Sequence, residues 1–392
     1  MKKKLIRITT VSGSLWILLR GQLKFMNQFY NIIGIAGAKE NMQKVRDNEG
    51  IETIDLEMTR EITPRQDLAS LYRLYKILKR EKPFIVHTHT PKAGIVGMMA
   101  AKMAGVKHRL HTVAGLPLVE ATGTKRKILN QVERLTYACA TKVYPNSKGL
   151  EDIILEHKFT KPEKLKVLAN GSSNGINTEI FDPEVISVKQ KEQLRTELGL
   201  KPNDLVLVFV GRIVRDKGIN ELMEAFHNLS QKYDQLKLLM VGPYEEALDP
   251  ISTEASKEIE TNAAIISVGW QDDVRPYFAV SDILIFPSYR EGFPNVVLQA
   301  GAMGLASIVS NINGCNEIIE EGINGIIIPV KNAQAIEEAI ESMVKYPEKT
   351  VQMKSVARPK IVSRYDQQMV WEAILQEYRN LEYQDSHNNS GV

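Results

Sequence analysis

The chain has 392 residues, enough for two domains, and 43% hydrophobic with 25% charged residues fits a soluble globular protein. Its two cysteines, Cys139 and Cys315, lie far apart and form neither a metal-ligand spacing nor a disulfide framework, which points to a reducing compartment. The net charge of +3 hides an asymmetry. Residues 1–150 carry 26 Lys/Arg against 11 Asp/Glu, a net +15, and the remainder carries 24 against 36, a net −12. A basic first half points to an anionic partner there: a membrane surface, a phosphorylated substrate or nucleic acid. Nucleic acid fits least, because the basic half lacks interleaved aromatics or a recognised module.

No segment reaches the roughly 18 apolar residues of a membrane-spanning helix. Met1–Lys4 followed by Leu5–Leu19 superficially resembles a signal peptide. Arg7, the Thr9-Thr10 pair and Ser12-Gly13-Ser14 interrupt the apolar stretch, so it reads as a strand, Leu5–Thr9, then a small-residue turn, Thr10–Ser14, then a helix from Leu15 onward. Trp16, Arg20 and Lys24 on that helix could touch lipid. A strand, glycine turn and helix at this point can bring backbone N–H groups, around Gly13, to a phosphate. There is no G-x-G-x-x-G.

Strands are then expected at Asn31–Ala36, Ile51–Leu56, Phe84–His87, His108–Val113 and Lys142–Pro145. Helices are expected at Asp67–Arg80, Ala93–Ala104, Lys125–Ala140 and Ser147–His157. After Asp182-Pro183 a second unit of the same build offers strands Leu205–Val210, Leu236–Val241, Ile265–Val268, Ile283–Phe286, Ala306–Val309 and Gly325–Ile328, with a helix at Gly218–Gln231. A long helix, Asp366–Tyr383, closes the chain ahead of a polar tail, Asp385–Val392. Strands alternating with helices imply doubly wound parallel sheets, hence an α/β fold of two Rossmann-like domains, 1–180 and 184–363. A cleft lined by the C-terminal ends of both sheets is the expected site.

The richest stretch is Tyr289–Gly304. A buried strand, Ile283–Phe286, leads into a turn of Ser, Gly and Pro. Pro294 suits the first turn of the following helix, on which Val296, Val297, Ala300 and Met303 fall at helical spacing. Glu291 therefore sits just outside a helix N-terminus, where open α/β sheets bind ligands and free N–H groups attract phosphate. Gly211–Gly218 follows the second unit's first strand and carries Arg212, Arg215 and Lys217, cations suited to a diphosphate. Gly242-Pro243 and Gly269-Trp270 end strands on the same edge. Gly314–Glu317 sets a second carboxylate, Glu317, on a further strand-to-helix turn. His87, His89 and His111 stand at or just after strand ends of the first domain, without Asp or Glu at metal-ligand spacing. Each feature also has a plainer reading as a solvated turn or a structural histidine.

With these pieces placed, the chain resembles the retaining nucleotide-sugar glycosyltransferases of family 4, which have the GT-B fold. The resemblance rests on Val210-Gly211-Arg212 with Lys217-Gly218, on Val268-Gly269-Trp270, on Arg290–Ala300 and on Glu317. Val86–Gly94 (VHTHTPKAG) and His111–Leu116 (HTVAGL) look like the bacterial branch that builds capsular, O-antigen and glycan-linked polysaccharides. The resemblance implies that Arg212 and Lys217 bind the donor diphosphate. It implies that Glu291, Gly292, Phe293, Pro294, Asn295 and Val296 hold donor sugar and phosphate. Groups near Gly269 would read the base, with Gly13, Gly211, Gly242, Trp270 and Glu317 also on the donor side. Ser14, His87, His89 and Lys92 are acceptor-side candidates, and His111 is the first-domain catalytic candidate. The family needs no metal or other cofactor, and its last helix packs back on the first domain. Two positions depart from the pattern. The second carboxylate of the family's pair is Gln299 here, a neutral contact for the ribose. A histidine common two residues beyond Thr112 is replaced by Ala114.

The resemblance thus implies transfer of a sugar from a UDP-linked donor, with retention, to a polyprenyl-diphosphate-linked glycan. The enzyme would be cytoplasmic and peripheral at the inner face of the membrane, held there by its basic first domain. Two other readings stay open: an enzyme like the UDP-GlcNAc 2-epimerases on a similar scaffold, and a non-catalytic nucleotide-sugar-binding protein.

Overall fold

A computed structural model describes residues 2–59, 63–119, 121–245 and 249–389 of the chain. They form two compact units, Met1–Gly175 with Gln367–Val392, and Ile176–Asp366.

In the first unit the elements are β1 (Lys4–Val11), α1 (Ser12–Leu18), α2 (Gln22–Asn27), β2 (Asn31–Gly37), α3 (Met42–Glu49), β3 (Glu52–Asp55), α4 (Pro64–Glu81), β4 (Ile85–His89), α5 (Pro91–Met103), β5 (His108–Val113), α6 (Gly123–Cys139), β6 (Lys142–Pro145) and α7 (Lys148–Glu156). The second unit holds α8 (Val188–Glu197), β7 (Leu205–Val210), α9 (Ile219–Lys232), β8 (Leu236–Val241), α10 (Thr253–Thr261), β9 (Ile265–Ser267), α11 (Arg275–Ala279), β10 (Ile283–Phe286), α12 (Asn295–Ala302), β11 (Ala306–Ser310), α13 (Cys315–Ile318), β12 (Gly325–Ile328), α14 (Ala333–Lys345) and α15 (Pro347–Tyr365). The last helix, α16 (Gln367–Asn389), belongs to the first unit.

The doubly wound α/β class expected from the alternation is what forms. In the second sheet, strands such as β7 (LVLVFV) and β10 (ILIF) read as near-continuous apolar runs, as expected when helices cover both faces, whereas β3 (ETID) and β5 (HRLHTV) of the first sheet carry polar residues. All pairings are parallel, in the orders β3-β2-β1-β4-β5-β6 and β12-β11-β10-β7-β8-β9. In each sheet the chain winds outward to one edge and then restarts beside its first strand. The reversal falls between β1 and β4 in one unit and between β7 and β10 in the other. Turns leaving the two central strands diverge there and open a crevice. Among the described residues no helix is long and apolar enough to cross a membrane.

Local details depart from the sequence reading. The turn expected at Thr10–Ser14 is absent: β1 continues to Val11 and α1 starts at Ser12, so Gly13 and Ser14 lie in its first turn. The single helix expected from Leu15 is two, broken at Gly21 with φ of 78°. A Cβ at Gly21 would lie 2.7 Å from the Trp371 ring of α16, so the break lets the last helix approach. The polar end expected from Asp385 is helical as far as Asn389, because Asp385 accepts from His108 Nε2 at 3.1 Å and pairs with Lys107. Residues 390–392 of that tail lie outside the described residues.

Arg7, which interrupted the apolar run in the sequence, is a fully buried side chain of β1. Burial without a partner would be costly. Its guanidinium donates to His89 Nε2 at 3.1 Å, Tyr378 Oη at 2.9 Å and Gln22 Oε1 at 2.5 Å. His87 bonds the same Tyr378 hydroxyl at 2.6 Å and Thr112 Oγ1 at 2.8 Å, and its ring stacks on His89 at 4.5 Å. This buried network ties α16 to the middle of the sheet. His111 bonds Thr88 Oγ1 at 2.8 Å and packs against Tyr137 of α6. The strand-end placement expected for the three histidines therefore holds only for His89. His87 and His111 stand inside β4 and β5, and all three are buried.

Burial pushes the His111 imidazole down to about 4, and holds His87 and His89 well below the ordinary histidine range, where neighbouring cationic groups add to the effect. An unfolded chain takes up these protons first, near pH 6.5. Stability is therefore fully present above about pH 6.5 and is lost as pH falls through 4. The His111 shift alone corresponds to a loss on the order of 3 kcal/mol. Glu133, pushed up to about 7 by burial, shifts stability the opposite way over part of this window. Urea denaturation at stepped pH should therefore show the wild type losing more stability than His111→Gln as pH falls from 7 to 4. Equal pH profiles of the two proteins would show that the His111 imidazole is not held neutral.

Candidate active site

One edge of the second sheet carries five strand-to-helix turns, in sheet order after β11, β10, β7, β8 and β9. They are packed against each other through backbone. Gly211 N–H donates to Val241 O at 2.9 Å, and Ile213 N–H to Pro243 O at 2.8 Å. Gly242 N–H reaches Gly269 O at 2.8 Å. Tyr289 N–H reaches Asp216 O at 2.9 Å, joining the turns of β10 and β7. Gly218, at φ of 72°, lies so close to the β10 turn that a Cβ would sit 2.2 Å from Pro287 O. Gly314 does the same on the other side, where a Cβ would sit 2.9 Å from Gly292 O.

At the reversal between β7 and β10, Lys217 Nζ forms an ion pair with Glu291 Oε1, both side chains mostly sheltered from solvent. Ser288 Oγ donates to the same carboxylate oxygen at 3.1 Å, and the Lys217 ammonium stands 5.6 Å above the Phe286 ring. Around this pair the turn is fastened by further charges. Arg290 Nη2 meets Asp216 Oδ2 at 3.1 Å, and Arg215 Nε meets Asp249 Oδ1 at 3.1 Å. Arg212, half-exposed, pairs with Glu245. Every cation expected to meet a diphosphate is thus already held in place by a carboxylate.

The helix α12 begins directly behind Glu291. Pro294 is its N-cap residue rather than part of its first turn, and no side chain caps the helix. The first N–H groups of a helix lack intrahelical partners and favour an anion. Asn295, Val296 and Gln299 form its partly exposed face, while Gly292 and Phe293 are buried against the turn. Gln299 follows Asn295 by one helical turn, so it lies behind the same N-terminus. Trp270 is largely exposed and donates to Asp272 Oδ1 at 3.2 Å. Glu317 lies in the four-residue α13, its carbonyl accepting from Tyr365 Oη at 2.9 Å. Burial, reinforced by the Glu291 charge, pushes the neighbouring Cys315 thiol well up.

The structure therefore assembles Gly211, Arg212, Lys217, Gly242, Gly269, Trp270, Glu291–Val296, Gln299 and Glu317 on one sheet edge. It does not add the first-unit histidines to an open surface. Ser14 and Lys92 do line a hollow in the first unit, with Lys92 Nζ held by Asp67 Oδ2 at 2.5 Å. Among the described residues no three His, Cys, Asp or Glu side chains converge as metal ligands. Sequence reasoning passed over Ser288 and Asp216, which orient Glu291 and Arg290. Their only signal was nearness to the turns already singled out.

The fold has known counterparts. HepE of Anabaena, solved in complex with UDP and glucose, superposes with a TM-score of 0.80 at 18% identity, covering 96% of this chain and 100% of that one. A glycosyltransferase from Rickettsia africae gives a TM-score of 0.79 at 21% identity, covering 97% and 98%. These define the class as GT-B. Residues 190–360 match the family model "Glycosyl transferases group 1", and residues 33–171 match the "Glycosyl transferase 4-like domain". The capsular polysaccharide biosynthesis glycosyltransferase CapM of Staphylococcus aureus is 31% identical over 372 residues, 95% of this chain and 96% of its own. The UDP-Gal:α-D-GlcNAc-diphosphoundecaprenol α-1,3-galactosyltransferase of Escherichia coli is 31% identical over 79% of this chain and 78% of its own. The chain belongs to the group 1 glycosyltransferases, and it is a transferase.

Gly218→Ala tests the docking of the two central turns. The left-handed backbone and the collision with Pro287 should cost on the order of 1–3 kcal/mol in denaturant unfolding. Gly105→Ala, also at positive φ but with open space around it, should cost about 1 kcal/mol at most. Equal, small losses at both sites would mean that the β7 and β10 turns are not held in contact.

Proposed function

We propose that this enzyme moves a sugar from a UDP-linked donor to a glycan carried on polyprenyl diphosphate, with retention of anomeric configuration, during assembly of a bacterial surface polysaccharide. The observation that carries the reading is the Lys217–Glu291 pair, set at the reversal of the second sheet beside the uncapped N-terminus of α12. The relatives' names support it. CapM acts in capsular polysaccharide biosynthesis, and the Escherichia coli relative uses a UDP-sugar and a diphosphoundecaprenol acceptor. A third, from Campylobacter jejuni and 29% identical, is named for a diphospho-undecaprenol acceptor as well. Work takes place at the inner membrane face, to which the basic first half is drawn.

In this reading Lys217 and Arg212 bind the donor diphosphate and stabilise the charge that grows on it as the sugar leaves. Glu291 accepts hydrogen bonds from donor-sugar hydroxyls, Gln299 contacts the ribose, and backbone near Gly269 reads the base. The bond from the anomeric carbon to the phosphate oxygen breaks. The acceptor oxygen bonds that carbon on the same face, and its proton passes to the departing phosphate oxygen. Protein groups position and neutralise, which supplies much of what such a transfer needs. No metal or other cofactor takes part. His111 is buried and bonded to Thr88 Oγ1, and the proton transfer does not call on it, since the departing phosphate oxygen takes the acceptor's proton.

Lys217→Ala should keep its fold and lose at least about a hundredfold in acceptor-dependent UDP release, the loss expected when one preorganised donor to a developing anion is removed. Near-normal turnover would remove Lys217 from the mechanism. Proton NMR of the product should show the donor's anomeric configuration, and an inverted product would overturn the retaining step.

A further inference from the structure

The first unit has its own reversal point, and its surroundings differ in kind from the charged edge of the second. Between the ends of β1 and β4, Thr10 Oγ1 and Thr90 Oγ1 stand 2.8 Å apart. A hollow of about 860 Å³ opens there, walled by α4, α5 and α6. Its polar groups gather at the strand ends: Thr10, Ser14, Thr90, Lys92, Lys125 and the carboxylate of Asp67, which holds Lys92 Nζ at 2.5 Å and from which an incoming anion would have to draw the lysine. Farther along, the lining is Ile95, Val96, Met99, Leu129 and Val132. A second hollow of about 380 Å³ shares Ile95 and Val132 and adds Ile128 and Leu135.

The order follows from the topology. Both α5 and α6 start at the C-terminal edge of the sheet and run away from it. Each opens with a lysine, Lys92 or Lys125, and then turns an apolar side chain to the trough at each helical turn. Leu68, Ile128 and Leu135 are 67%, 44% and 46% exposed along this path. A run of exposed apolar side chains in a unit whose first 150 residues carry a net +15 is costly unless something covers it. The shape is that of an amphiphile: an anionic head at the lysine end and a hydrocarbon chain beyond.

We propose that this trough binds the isoprenoid chain of the lipid-linked acceptor, with the diphosphate at the Lys92 and Lys125 end. The proposal rests on the functional reading above for the identity of the amphiphile. It goes further in placing the chain in the protein, where a membrane-surface contact alone would leave it in the bilayer. Burial of the hydrocarbon then contributes to acceptor affinity in proportion to the apolar area covered.

The test uses the full chain with farnesyl diphosphate and inorganic diphosphate as probes, in the absence of lipid. Farnesyl diphosphate should bind at least roughly tenfold more tightly than inorganic diphosphate, from burial of its chain. Val132→Trp and Ile95→Trp, which fill the trough, should each bring the two affinities to within about threefold by the same measure. Leu135→Asp, at an exposed position, serves as a variant that needs no core rearrangement and should weaken the farnesyl probe alone. No advantage for the chain in the wild type, or an advantage that persists in all three folded variants, overturns the proposal. So does an advantage seen only with phosphatidylglycerol vesicles present, which would place the chain in a membrane. Equal turnover of short-chain and long-chain acceptors would sink the trough and leave the transferase reading intact. Failure to transfer sugar to any lipid-linked acceptor would sink that reading and leave the farnesyl result standing.

Discussion

An ammonium and a carboxylate meet where β7 and β10 part, and the site depends on that meeting. Lys217 and Glu291 come from turns 74 residues apart in the chain. Each is held by backbone docking before the charges contribute. Sheltering two charges costs desolvation that their attraction offsets only with good geometry and extra hydrogen bonds. Ser288 supplies one such bond, and the Phe286 ring beneath the ammonium supplies a further favourable contact. The result is a cation fixed in position before any ligand arrives, the condition under which electrostatic stabilisation costs no reorganisation during reaction.

The two sheets share one winding scheme and put different chemistry on its reversal points. In the second unit the turns carry Arg212, Arg215, Lys217 and Arg290, each paired with a carboxylate. In the first, the corresponding turns carry hydroxyls, and the helices behind them carry lysines followed by apolar residues. One topology thus carries a cluster of ion pairs at one reversal point and a hollow with a polar end and an apolar run at the other. The difference lies in which side chains follow the strand ends.

Much of this was legible in the sequence where the cause is local. Leu205–Val210, Leu236–Val241, Ile283–Phe286 and Gly325–Ile328 stand as strands at the expected bounds, because apolar runs between glycine and polar turns leave few other choices. The strand-to-helix turns of the second unit were visible for the same reason. What was not legible is non-local. Arg7 looked like a break in an apolar run, and its bonds to Gln22, His89 and Tyr378, the last 371 residues away, explain its burial. His87 looked like a strand-end group because polar residues close the apolar run there in the sequence, whereas β4 runs on to His89. The burial of His87 and His111 depends on helices that the sequence of one strand cannot place. The apolar trough was missed altogether. Ile95, Met99 and Val132 lie on helices the sequence predicts, but that they line a common hollow depends on how α5 and α6 pack.

The most direct measurement is a calorimetric titration of UDP into the wild type and into Lys217→Ala, in the presence of a chelator. Removing a charge-assisted bond to a diphosphate should weaken binding by at least about tenfold. That loss, with the variant's unfolding curve otherwise close to wild type, is the expected result. Equal UDP affinity in the two proteins would contradict a donor diphosphate on Lys217 and move the nucleotide away from the β7 and β10 turns.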